Sequence, residues 1–365
     1  MQESFQERHI IKYFAPGWFA VIMGTGGFAN IIYLWGNSFP SMKIAGTSLA
    51  LATDILYFLV LIPWLLRWFL YFPYAHRDLQ HPITGNFYVT MPVATTILGT
   101  NFFIIWSNYL SSTVTYLITS FTWIVAIVGV TFFTFYTTFR MMKVEISPKP
   151  ETMNFSWIMA PIANMAVLLI GNPVLNQTIK FYPDKALTVL LLNLVLLGIG
   201  FFLFIFISAI IFVRLAQYSL PPAETTPSFG IFLSAVGLAV SAIIDSAKNA
   251  LSMGLLVSTD LSFLSATVIW GFGFWIVGIV IIICIYQTAK GGIPFSLGWW
   301  AFIFPLAAYT LSSLKVSVIF NTPFSLGYTA FLSILLFVLW LYTIINTIKG
   351  IKSGILFAGF PINKR

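Results

Sequence analysis

Charge is what this sequence has least of. Asp, Glu, Lys and Arg make up 8% of its 365 residues, about a third of the share in soluble domains, which excludes a water-soluble globule. The single cysteine, Cys284, excludes an internal disulfide, and its apolar neighbours mark it as a structural thiol. His9, His76 and His81 form no HExxH pair, and no third ligand stands near the last two to complete a metal site. A GxxxxGK[ST] loop is missing, which argues against direct drive by a nucleotide. No nucleophile–base set is visible and no cofactor is implied, so an intramembrane enzyme is the remote alternative. The net charge of +8 is spread singly between apolar runs, unlike the clustered patch that nucleic acid requires. The first residues, MQESFQERHIIKYF, lack a short apolar core followed by a small-residue cleavage site, so no cleavable signal is expected.

Apolar residues fill the space that charge leaves. They make up 59% of the chain, with 37 Phe and 12 Trp. Ten runs are long enough to cross a hydrocarbon core of about 30 Å: roughly 14–36, 46–70, 88–110, 113–139, 155–175, 186–213, 228–248, 264–288, 298–320 and 325–347. The fifth is interrupted by Pro161 and Pro173. No soluble domain fits in the connections, which predicts one all-α integral-membrane domain over 1–365 with the lipid bilayer as its surroundings. Thirteen of the eighteen basic residues fall on the side shared by both termini: Arg8, Lys12, Arg67, Arg77, Arg140, Lys143, Lys149, Arg214, Lys290, Lys349, Lys352, Lys364 and Arg365. The other side has Lys43, Lys180, Lys185, Lys248 and Lys315. Both termini are therefore expected in the cytoplasm of a plasma-membrane protein.

A repeat emerges from the prolines inside these runs. Pro92, Pro161 and Pro305 each open a Pro–aliphatic–Ala step, lie in odd-numbered runs, and are separated by 69 and 144 residues, the second being twice 72. One period before Pro92 lies near Met23–Gly27, and one period after Pro161 near Ser234, between Gly230 and Gly237. The economical reading is five helix–turn–helix repeats, with bent odd helices inside and apolar even helices as the outer wall.

Three stretches carry a resemblance. APGWFAVIMGTGGFA (15–29), HPITGNFYVTMPVA (81–94) and PFSLGWWAFIFPLAAYTLSS (294–313) resemble the tellurite-resistance/dicarboxylate transporter family. That family includes fungal malate transporters, sulfite efflux pumps, a bacterial tellurite-resistance protein and plant guard-cell anion channels. The resemblance implies five helical hairpins with quasi-fivefold symmetry, a central pore lined by the odd helices, and a homotrimer with one pore per subunit. It further implies occlusion by a phenylalanine just before the break in the ninth helix, here Phe304, with Phe302 as the fallback. The substrate class it implies is a small anion, either a C4-dicarboxylate such as malate or an inorganic anion such as sulfite. A gated channel and a proton-coupled carrier both remain open.

Permeation of an anion needs a low barrier without a deep well. Breaks at Pro92, Pro161 and Pro305 would free backbone groups at mid-depth, tolerable only beside a wet cavity. Gly24, Thr25, Met91, Pro92, Thr95, Ala160, Pro161, Asn164, Ser234 and Pro305 are the expected pore lining, and Thr96 lies near the same breaks as a further neutral donor. The hydroxyl and amide side chains among them would equally serve as hydrogen bonds between helices. Charges within the runs are Asp54, Asp245, Lys248 and Lys315, all expected in the outer half. Asp245 and Lys248 are spaced to pair with each other. Lys315 has three readings: outward snorkelling, an outer anion-attracting site, or a pair with Asp54. Asp54 and Asp245 are the residues a proton-coupled carrier would use.

Overall fold

The computed structural model describes residues 9–143 and 153–357. Arg8, Lys149, Lys364 and Arg365, counted above for sidedness, lie outside the described residues. Among the described residues ten helical spans are long and apolar enough to cross a membrane: Pro16–Trp35, Ser41–Leu70, Thr84–Asn108, Ser112–Met142, Phe155–Phe181, Pro183–Gln217, Ala223–Ser252, Asp260–Ala289, Leu297–Phe320 and Pro323–Lys352, here spans 1 to 10. The described residues hold no β-strand. Most spans run a few residues past the expected ends, because a helix keeps its backbone bonded beyond the hydrocarbon until a cap or a special backbone angle stops it. Asn321, with φ of 45°, is such a stop between spans 9 and 10.

Burial separates the spans into two classes. In the most apolar stretch of each odd span 67–89% of residues are buried, against 22–39% in the even spans. Odd spans contact one another in a closed cycle, 1 to 3, 3 to 5, 5 to 7, 7 to 9 and 9 back to 1. Each even span packs on the outside of the odd span before it. The inner helices approach closely because glycine leaves room. A Cβ on Gly237 of span 7 would sit 2.5 Å from the Tyr309 nitrogen of span 9, and one on Gly24 would meet the Trp300 ring at 2.8 Å. The glycines of the Met23–Gly27 run, Gly24, Gly26 and Gly27, are thus helix-packing positions.

The prolines do not break the helices where expected. Each odd span opens with a 3₁₀ turn: Pro16–Trp18, Thr84–Val89, Phe155–Ile158, Ala223–Gly230 and Leu297–Trp299. Pro92 and Pro161 are then the third residues of the α-helices that follow, Thr90–Ile104 and Met159–Ala166, and Pro305 is the sixth of Trp300–Phe320. A proline in the first turn gives up little, since its N–H would lack an α-helical partner there. The interruption in span 5 falls at Val167, between Met159–Ala166 and Leu168–Phe181, and Pro173 lies inside the second of these.

The arginines at the ends of even spans are buried fasteners. Arg67 donates to the carbonyls of Lys12 and Phe14 (3.0 and 2.9 Å) at the start of span 1, and pairs with Asp78. Arg140 donates to the Leu79 and His81 carbonyls (2.8 and 2.9 Å) and to the Asn86 side chain, at the start of span 3. Arg214, equally buried, and Gln287 follow at intervals of 74 and 73 residues, and Gln287 reaches the Pro221 carbonyl before span 7. Trp300 of span 9 closes the series by donating to Thr347 of span 10 at 3.0 Å. Spans 2, 4 and 8 therefore hold the chain entering the inner helix each packs on.

Candidate functional site

A cavity of about 270 Å³ lies where the five odd spans begin, and all five line it. Its wall contains two layers with one residue from each span. Ala20, Thr90, Met159, Ile231 and Ala301 form the layer nearer the mouth, and Met23, Val93, Ala163, Ser234 and Phe304 the deeper one. Within each layer the residues recur every 69–72 positions, the period of the sequence repeat. Among the described residues no ionisable side chain lines the cavity, and Ser234 turns its hydroxyl back to the Ile231 carbonyl at 2.6 Å. Phe304 is the one aromatic side chain in the deep layer, and it is 5% exposed.

A second cavity, of about 300 Å³, opens at the opposite ends of the same five spans. It holds Thr100, Asn172, Asn176, Asp245, Lys248, Asn249 and Lys315 beside apolar residues such as Leu34, Leu169 and Leu311. Lys315 pairs with Asp245, 70 residues away on span 7. The expected Asp245–Lys248 pair is replaced by this one, and the Lys248 ammonium lies 5.9 Å from the Phe263 ring centre. Asp245 and Lys315 come from adjacent odd spans and both line the cavity, so they meet at its wall. Along span 9, Phe304 and Leu311 border the two cavities; seven residues apart, they leave about 10 Å of packed axis between.

Residues 13–348 match the voltage-dependent anion channel family. The chain belongs to that family. It is 32% identical to an uncharacterized transporter of Methanocaldococcus jannaschii over 96% of this chain and 97% of the relative. A sulfite efflux pump of Arthroderma benhamiae is 26% identical, over 93% and 91%. A malic acid transport protein of Schizosaccharomyces pombe is 22% identical, over 91% and 77%. The resemblance drawn from the three sequence stretches holds across the chain. This is a multi-pass membrane protein of an anion-transporting family, and its relatives are named for transport.

Of the residues expected to line a pore, Ser234, Phe304 and Pro305 border the first cavity and Lys315, Lys248 and Asp245 the second. Phe302 lines a different, lateral cavity between spans 7 to 10. The remainder sit at helix interfaces. Gly24 accommodates Trp300, Thr25 accepts from the Trp340 indole (3.2 Å), and Pro92 lies where a Cβ on Gly129 would touch it. Thr95 bonds the Tyr57 hydroxyl at 2.7 Å, and its own hydroxyl also reaches the Met91 carbonyl. Thr96 bonds back to the Pro92 carbonyl. Asn164 donates to Thr134 of span 4 at 2.7 Å and to the Ala160 carbonyl, while the Pro161 carbonyl faces Gly200 of span 6. The physical reason is that membrane helix contacts select the same small and hydroxyl residues that a pore would. Asp54 is likewise at an interface, accepting from Asn101 and the Trp106 indole at 2.7 Å each, and it is not the partner of Lys315. Met23, Val93 and Ala163 were missed. Counting back from Phe304 in steps of about 70 finds all three.

Proposed function

We propose that the chain is a gated pathway for small anions along the axis of the five odd spans, with Phe304 as the gate. The observation that carries this reading is the pair of cavities at opposite ends of the same five helices, separated by the layer in which Phe304 is the one large ring. Four of the five positions in that layer are Met, Val, Ala and Ser, so the Phe304 ring is the bulkiest obstacle at the floor of the first cavity. The amino-terminal ends of five helices face the first cavity, favouring an anion without a charged side chain that would hold it. Sulfite and malate, named for two relatives, are the proposed substrate classes.

The reading extends to the whole protein. The 365 residues act as one transmembrane domain of five hairpins related by quasi-fivefold symmetry, supported by layers that recur every 69–72 residues. Both termini are cytoplasmic in the plasma membrane, and three chains assemble with one pathway each. The test is current across bilayers containing the purified protein, wild type beside Phe304→Ala, in chloride, sulfite and malate. Near-silence in wild type and large anion currents in the variant are expected. Silence in both, with a pH gradient driving labelled malate into vesicles, would replace the gated pathway by a proton-coupled carrier.

A further inference from the structure

The second cavity holds a charge arrangement that a phenylalanine gate does not use. Asp245 and Lys315 are paired at its wall with side chains 28% and 21% exposed, so the pair is reachable from the cavity. Lys248, one turn beyond Asp245 on span 7, lines the same space, and among the described residues it forms no ion pair. Among the described residues the cavity lining thus carries two lysines against one aspartate, with the Lys248 ammonium resting over the Phe263 ring of span 8. The wall behind them is fixed. Asn172 of span 5 accepts from Ser246 (3.0 Å), and its backbone carbonyl accepts from Asn249 (3.1 Å), which ties span 5 to span 7.

A carboxylate has the wrong sign for the lining of an anion path. Two uncompensated ammonium groups, however, would form a well deep enough to hold an anion and stop flow. An ion pair open to the cavity on one side is weaker than a fully enclosed one, so the Asp245 carboxylate can be exchanged for another anion. We propose that Asp245 is a resident competitor: its carboxylate occupies Lys315 until a small oxyanion, received first at Lys248, displaces it, and it reclaims Lys315 when that anion leaves. This rests on the anion-pathway reading above. The ligand class is a carboxylate or sulfur oxyanion with several acceptor oxygens, which can engage both ammonium groups at once. A halide offers a single centre and is held less well.

The test is thermal stabilisation of the purified protein by sulfite, malate and chloride at constant ionic strength. Asp245→Asn should lower the half-saturating sulfite and malate concentrations about fivefold, as loss of a weak, partly exposed competitor implies. Lys315→Gln and Lys248→Gln should raise them, and chloride should respond least. Asp245→Ser repeats the comparison should the asparagine disturb assembly. Unchanged or weaker oxyanion binding without the carboxylate, an equal shift for chloride, or no stabilisation by any anion would overturn the proposal. Bilayer currents of Phe304→Ala keep the two readings apart. Currents whose half-saturation is indifferent to Asp245→Asn sink the competitor and leave the pathway, whereas oxyanion binding without any current retains the exchange site and removes the pathway.

Discussion

Two phenylalanines two positions apart on span 9 face different worlds. Successive helical residues turn by about 100°, so Phe302 and Phe304 point to nearly opposite sides. Phe304 meets the axis, while Phe302 joins Trp299, Leu335 and Leu339 around a lateral cavity of about 290 Å³. Removing either ring deletes buried apolar surface, but only the Phe304 deletion lies on the proposed path. Phe302→Ala should therefore leave bilayers as silent as wild type while lowering the thermal unfolding midpoint, with a cost of about 3 kcal/mol. A leak from Phe302→Ala comparable to that of Phe304→Ala would reassign the gate. The motif Trp299–Pro305 is plain in the sequence, but which of its rings faces inward is not, because both are large, apolar and buried.

Helix contacts are set by the absence of side chains as much as by their presence. At Gly237 the backbone of span 9 comes within 2.5 Å of where a Cβ would stand, and a backbone cannot rotate aside. Gly237→Ala should lower the unfolding midpoint, costing about 3 kcal/mol at the upper end of overpacking effects. Gly198→Ala on span 6, where a Cβ would meet nothing within 4 Å, should leave stability unchanged or slightly raised. Glycines of both kinds look alike in the sequence. The buried arginines teach a similar lesson. Arg67, Arg140 and Arg214 counted toward sidedness, yet each is at most 7% exposed. Their spacing of 73 and 74 residues was available as a signal, but the carbonyls that Arg67 and Arg140 hold are distant along the chain.

At the scale of the whole molecule, sidedness is the property still open to a direct check. In a Cys284→Ala background, cysteine replaces Thr288, exposed near the face where odd spans begin, or Ser258, exposed near the other. A membrane-impermeant maleimide applied to intact cells should label the Ser258→Cys chain and spare the Thr288→Cys chain until the membrane is opened. The reverse pattern would place both termini outside and put the first cavity on the external surface.

The sequence by itself determined the ten spans, their alternation between inner and outer classes, and the family. Each follows from constraints written locally: a spanning backbone must satisfy its own hydrogen bonds, so it must be a long apolar helix, and a repeat leaves its period in the chain. Only the tertiary structure decided which flank of each odd helix meets the axis, and which carboxylate Lys315 joins. In water, polarity marks the exposed side of a helix. In lipid, small and hydroxyl residues serve helix contacts and pores alike, so Thr25, Thr95 and Asn164 read the same in sequence as Ser234 until the neighbouring helices are in place.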